Sequence, residues 1–233
     1  MEAGYQDGSV EVALTADSVL AAAACGRYLQ FGCKRVLDVA VACILLLALL
    51  PLLLVIAFLV WSSSPGPILF SQERVGRNAQ RFRMYKFRTM VANGHPDVHR
   101  AYYELLVRGV AEPIGGKFKL GNDPRVTALG RILRHYSLDE LPQLWNVLRG
   151  EMSLVGPRPP IPYEVELYGP REMGRLAVTP GLTGLWQVSG RSLLDFERMI
   201  ALDLAYIERW SLWLDILILI RTPLVVLSAR GAD

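Results

Sequence analysis

The chain has little of what metal centres and disulfide scaffolds are made from: 233 residues include three cysteines and three histidines. Cys25, Cys33 and Cys43 lack the paired spacing of a zinc site, and Cys43 falls inside a hydrophobic run, so they read as reduced packing residues in a cytoplasmic setting. His95 and His99 have Pro96 between them and no third ligand nearby in sequence, so they read as loop residues. A Gly-rich phosphate loop and a dinucleotide fingerprint are both missing, which leaves arginines and helix ends as the means of holding a nucleotide. The opening residues carry Glu2, Asp7 and Glu11 and lack the basic start of a secretory signal. No internal repeat or long low-complexity tract occurs, Ala21 to Ala24 being a short biased run. A net charge of +3, with pI near 8.8, suits an anionic membrane surface and anionic substrates without identifying either, and no nucleic acid is expected as a partner.

What the chain has in quantity is apolar sequence. It is 52% hydrophobic, with a mean hydropathy of +0.28, and Val39 to Trp61 runs twenty-three residues without a charge. As a single helix that run would reach about 35 Å, enough to cross a hydrocarbon core of about 30 Å. Two features favour a re-entrant helix instead. Pro51 divides the run into Val39 to Leu50 and Leu52 to Trp61, each about 15 to 18 Å long. Basic residues stand on both flanks, Arg27, Lys34 and Arg35 before it and Arg74, Arg77, Arg81 and Arg83 after it, and positive charge marks the cytoplasmic side. The break is expected at Leu50 and Pro51, with the spanning helix as the alternative.

The chemistry is densest in Ser137 to Pro159, SLDELPQLWNVLRGEMSLVGPRP, where Asp139 and Glu140 are adjacent and Arg134, Arg149 and Arg158 lie close by. Paired carboxylates among arginines suit a site that holds a divalent cation together with a phosphate. The same residues also fit a helix start. Ser137 and Glu140 match a capping box, whereas Asp139 as N-cap would bring Pro142 into the first turn, where a proline is tolerated. In either register Asp139 would lie at the positive end of a helix, which favours its ionised form, and an ionised carboxylate can attack phosphorus.

Elsewhere, Ser62 to Pro67 reads as a turn and Ile68 to Met90 as short strands bearing Arg74, Arg77, Arg81, Arg83, Lys86 and Arg88, for most of which a solvated or lipid-facing role is expected. Asp123 and Pro124 read as a helix start, with Val126, Leu129 and Ile132 or Leu133 on the apolar face. Gly156 to Pro162 is a rigid loop presenting Arg158, whose planar guanidinium suits a phosphate. Pro180 to Arg191 reads as turn, short strand and turn, with Trp186 a packing residue. Two amphipathic helices close the chain, Phe196 to Arg209 and Trp210 to about Leu227; Asp215 and Arg221 argue against spanning, and tryptophans at headgroup level argue for lying in the interface.

The segments KRVLDV, FSQERVG, KFRTM, DPRVTALGRILR, the Ser137 run, PGLTGLWQVSGR and LDLAYIERWSLWLD occur here in that order, and together they resemble the bacterial polyprenyl-phosphate sugar-1-phosphate transferases, the monotopic phosphoglycosyl transferases. The likeness runs from about Tyr28 to the C-terminus. It implies that Asp139 attacks a UDP-sugar to form an aspartyl phosphosugar with release of UMP, and that polyprenyl phosphate then accepts the phosphosugar. It further implies Glu140 as the Mg2+ ligand, Lys86, Arg134, Arg158 and Arg191 as phosphate-binding residues, and a substrate-side role for Asp215, with Asp203 at another acidic family position. For both aspartates the plainer alternative is a surface pair with Arg198, Arg209 or Arg221. The family's helix break usually carries serine where this chain has Leu50.

The expected fold is mainly α with a few short β-strands, an α+β monotopic membrane protein with an N-terminal re-entrant helix and interfacial amphipathic helices. Residues 1–30 would be an extension, 31–62 the membrane helices and 63–233 the catalytic domain, on the cytoplasmic face of a bacterial inner membrane. A phosphohydrolase using the same intermediate and a membrane-anchored scaffold are the other readings, and the sugar, the glycan and a homodimer are left open.

Overall fold

The computed structural model describes residues 30–91, 104–105 and 125–228. Cys25, His95, His99, Asp123 and Pro124 lie outside them. The chain divides into two units between Leu37 and Asp38. Of the first, residues 30–37 are described, and they are helical.

Helix α1, Gln30–Ala48, is followed after one residue by α2, Leu50–Ser63, at a bend of 64°. The break falls at Leu49, one residue before the expected Leu50 and Pro51. Pro51 occupies the first turn of α2, where its missing N–H costs no helical bond. Leu49 still donates to the Leu45 carbonyl at 2.9 Å and accepts from Leu53 at 2.8 Å, so the chain turns without abandoning its backbone bonds there. Among the described residues no single helix is long and apolar enough to cross a membrane, although the bent pair is by length and composition. Ile44, Leu47, Leu54, Phe58 and Trp61 are exposed along it.

Strands β1, Leu69–Val75, and β2, Arg81–Phe87, form an antiparallel hairpin in which Phe70 pairs with Lys86 and Arg74 with Phe82. Helix α3, Ala128–His135, starts at Thr127, whose hydroxyl accepts from Gly130 N at 2.9 Å. It buries Leu133 while Ile132 stays exposed. Gly130 is packed so closely on the Thr89 carbonyl that a β-carbon would overlap it, which brings α3 against the end of β2. A 3-10 turn, Leu138–Glu140, leads into α4, Gln143–Arg149.

Strand β3, Ser153–Val155, runs parallel to β4, Gly181–Thr183. Short helices α5, Pro162–Val165, and α6, Pro170–Met173, intervene, and α7, Leu185–Ser189, follows β4 where a turn was expected. Helices α8, Phe196–Glu208, capped by Asp195, and α9, Leu212–Ser228, end the described chain.

The main core gathers Ala42, Met84, Leu144, Val147, Met152, Leu154, Tyr206 and Ile218 from helices and strands far apart in sequence. A second cluster of Ile56, Val60, Phe87 and Leu133 joins α2 to β2 and α3. Two buried charges fasten the bent helix pair to this body. Asp38 accepts from Leu154 N at 3.0 Å, and Arg88 donates to the carbonyls of Val60 at 3.1 Å and Ser64 at 2.6 Å at the end of α2. The mostly helical architecture with short strands agrees with the α+β expectation. Arg74 and Arg88, expected on a solvated or lipid-facing surface, are buried instead because backbone carbonyls accept their protons.

Candidate active site

Neither capping register at the carboxylate pair forms. Ser137 has φ 53 and ψ 23, a left-handed conformation, and its side chain caps nothing. Its hydroxyl accepts from Arg191 Nη2 at 2.6 Å instead. The helix proper begins six residues later, behind Pro142, so Asp139 projects from a single tight turn.

Asp139 is buried, with 6% of its surface exposed. Burial pushes its carboxyl above the ordinary carboxylate range and Glu140 adds to the shift, while Lys86 and Arg134 oppose it. This corrects the expectation that a helix end would favour the ionised form. Burial outweighs it, since a 3-10 turn of three residues supplies little dipole.

Lys86 and Glu140 form an ion pair at 2.5 Å with both side chains partly exposed. Strand β2 brings Lys86 to Glu140, and just beyond the strand Thr89 Oγ1 accepts from Arg134 Nε at 2.9 Å. Lys86, Arg134, Asp139 and Glu140 are thus brought together, with Arg191 tied on through Ser137.

Arg158 lies on the proline-rich loop before α5. It pairs with Glu164 at 3.1 Å, and the same Glu164 oxygen accepts from Ile161 N at 2.9 Å. Arg74 holds that loop from the other side by donating to the Pro159 carbonyl at 2.9 Å. Burial lowers the Arg74 guanidinium to about 10, with Arg158 adding to the fall and Glu140 acting against it, so this arginine lies within electrostatic reach of both regions. Arg149 turns away to Glu151 at 3.2 Å and does not join the carboxylates.

Asp203 and Asp215 are not surface carboxylates. Asp203 is 1% exposed and pairs with the equally buried Arg175 at 2.7 Å. Asp215 accepts from Tyr206 at 2.8 Å and from the Trp210 indole at 3.2 Å, so it joins α8 to α9, and Trp210 is turned inward rather than to headgroups. Desolvation, with Asp215 next, raises the Tyr206 hydroxyl well above its usual range.

Sequence reasoning missed Arg74, Glu164 and Arg175 as parts of the frame around Arg158. Arg74 had a usable signal: Gln72 and Arg74 share one face of β1 while Glu73 shares the other, and Gln72 Oε1 accepts from Arg74 at 2.7 Å. Arg175 had none in its neighbourhood, because its partner lies on another helix.

Residues 29–229 match the family model described as bacterial sugar transferase. The chain is 45% identical over 209 residues to a protein of Streptococcus agalactiae named galactosyl transferase CpsE, covering 88% of this chain and 44% of that one. It is 44% identical over 201 residues to the exopolysaccharide production protein ExoY of Sinorhizobium fredii, covering 85% and 87%. It is 43% identical over 208 residues to the UDP-glucose:undecaprenyl-phosphate glucose-1-phosphate transferase of Caulobacter vibrioides, covering 85% and 71%. The chain thus spans less than half of the streptococcal relative and most of the rhizobial one. With the matched region covering the bent helix pair, the carboxylate turn and both closing helices, the chain belongs to the bacterial sugar transferase family.

Proposed function

We propose that this protein transfers a sugar 1-phosphate from a UDP-sugar to polyprenyl phosphate, on the cytoplasmic face of a bacterial inner membrane, in the first step of exopolysaccharide, capsule or O-antigen type assembly. The observation that carries the reading is Asp139: a buried carboxylate, unused as a helix cap, flanked by Lys86, Glu140 and Arg134.

In the first step an Asp139 oxygen attacks the sugar-bearing phosphorus of the donor. A carboxylate–phosphorus bond forms, the bridging P–O bond breaks, and UMP leaves with the electron pair. Lys86, Arg134 and Arg191 are suited to bind the phosphate oxygens and hold phosphorus in line with the carboxylate. Arg158 offers a further cation, oriented by Glu164. In the second step a phosphate oxygen of the polyprenyl carrier attacks the same phosphorus and displaces the Asp139 carboxylate, giving a lipid diphosphate sugar.

Mg2+ is the expected cofactor. Among the described residues no three His, Cys, Asp or Glu side chains gather into a metal group. Magnesium is commonly held by one or two carboxylates with substrate phosphates supplying the rest, and the partly exposed Glu140 offers such a carboxylate beside Asp139. Glu140 would be the protein ligand, in exchange for part of its Lys86 contact, and the ion would neutralise diphosphate charge. The α1–α2 pair would dip into one leaflet with Ile44, Leu47, Phe58 and Trp61 in lipid, and α9 would rest Trp213, Ile220 and Leu224 at the surface.

The test is UMP release by the purified protein with Mg2+ and a panel of UDP-sugars, with and without undecaprenyl phosphate, alongside intact mass without the lipid. Turnover with one donor that requires the lipid, and a sugar-phosphate adduct on wild type but not on Asp139→Asn, are expected. Lipid-independent turnover would favour hydrolysis, and no UMP with any donor would favour a scaffold.

A further inference from the structure

Four non-glycine residues among those described have a positive φ. Asn78 and Ala79 do so at the tip of the β1–β2 hairpin, where turn geometry asks for it. The other two, Ser137 at φ 53 and Arg191 at φ 54, are bonded to each other: Arg191 Nη2 donates to Ser137 Oγ at 2.6 Å. The left-handed region is unfavourable for residues with a β-carbon, and such strain persists where surrounding structure holds it. Here it is held on both sides. Ser137 N donates to the Arg134 carbonyl at 3.1 Å and Glu140 N to the Ser137 carbonyl at 3.2 Å, while Leu194 N donates to the Arg191 carbonyl at 3.2 Å. Two separate segments are therefore fixed in a conformation whose product is one side-chain bond beside Asp139.

The guanidinium is only half used. Arg191 Nη1 is buried and has no hydrogen-bond partner among the described residues. Leaving a buried charged donor unmet is costly, and an anionic oxygen is the acceptor that best meets a guanidinium. We propose that Ser137 is a positioning residue: its hydroxyl fixes the Arg191 guanidinium so that Nη1 is presented to a phosphate oxygen of the nucleotide diphosphate donor. The inference rests on the reading of Asp139 as the site of phosphosugar transfer, and it gives Ser137 a task that a helix cap would not have allowed.

Ser137→Ala removes the acceptor, Ser137→Gly removes it and also relieves the left-handed backbone, and Ser137→Asn keeps an acceptor oxygen on a residue that tolerates that backbone. For each, KM and kcat for UMP release are measured with a UDP-sugar that supports turnover. UDP affinity is measured by calorimetry with Mg2+ in the Asp139→Asn background. The Ala and Gly variants are expected to raise KM and the UDP Kd by about tenfold, in line with loss of one charge-assisted bond, and to change kcat by less than about threefold. Asn should restore both. Arg191→Lys should match Ser137→Gly, and the double variant should be no worse than either single one, because one interaction is being removed.

Wild-type KM and UDP affinity in Ser137→Gly would overturn the proposal, because backbone conformation would then be the whole role. Equal impairment of all three variants together with a lowered melting temperature would also overturn it, as a purely structural effect. The UDP series judges Ser137 without turnover. If Asp139→Asn still releases UMP, the nucleophile reading fails while the Ser137 result stands on its own.

Discussion

The turn around Asp139 and the network beneath Arg158 are built from the same side chains, carboxylates and arginines, and they are finished in different ways. Beneath Arg158 the charged groups are paired with one another, although Arg74 Nε and Asp203 Oδ1 have no hydrogen-bond partner among the described residues. Glu164 takes both Arg158 and Ile161 N, and Arg175 reaches Asp203, the Tyr168 hydroxyl at 2.5 Å and the Arg158 carbonyl at 3.1 Å. Around Asp139 the Lys86–Glu140 pair is partly exposed, Arg191 Nη1 is unmet among the described residues, and two backbones are strained. The first cluster spends its charge inside the fold and acts as a frame. The second holds capacity for a ligand that brings negative charge.

The largest expected effect separates the two directly. Asp139→Asn should lower UMP release by about 10^3-fold or more, as removal of a nucleophile does. It should leave the melting temperature equal or higher, because a carboxyl that burial disfavours in its charged form is replaced by an amide. Arg175→Met should do the reverse. Removing one partner of a buried pair costs about 3–5 kcal/mol, seen as a lower melting temperature, and residual turnover should track the folded fraction. A stable Arg175→Met protein without activity would erase the distinction between frame and site.

Much of the frame was legible in sequence because local pattern sets it. Strand pieces between Ile68 and Met90 became the hairpin, Phe196 opened a helix, and the apolar run broke near Pro51. What was not legible was decided by contacts distant in the chain. Ser137 and Glu140 spell a cap in any local reading, but the Ser137 hydroxyl is claimed by Arg191, fifty-four residues away. Asp203 looked like a surface carboxylate until Arg175, twenty-eight residues earlier, supplied its partner. Charge type is visible in sequence, whereas burial of a charge depends on which partner the fold delivers.

The pH dependence sharpens the comparison with smaller effects. Burial raises the Asp203 carboxyl to about 6, with Arg175 only partly opposing, and its Oδ1 has no partner among the described residues. A carboxyl raised in the folded state binds its proton more tightly there than when unfolded. Its stabilising contribution is therefore full below the unfolded value of about 3.9 and is lost as pH rises through about 6. Thermal melting between those limits should show a component that falls with rising pH, opposing the trend of the Glu164 carboxyl, which Arg158 and Arg74 hold low despite burial. Asp203→Asn should remove the falling component and leave the acid limb of the UMP-release profile in place.

Lys86→Met should have the complementary outcome. In the proposed reaction Asp139 must be ionised to attack, and the Lys86 ammonium is the largest influence favouring that form. Without it the Asp139 carboxyl rises further, so the acid limb of kcat/KM should move to higher pH, while the melting profile between about 3.9 and 6 keeps its Asp203 component. Lys86 also binds phosphate in the proposed reaction, so the maximum rate should fall as well, and the limb's position rather than its height reads the electrostatic role. An unmoved limb would show that ionisation of Asp139 does not control the acid side, and the contrast between an acid read in turnover and an acid read in stability would be lost.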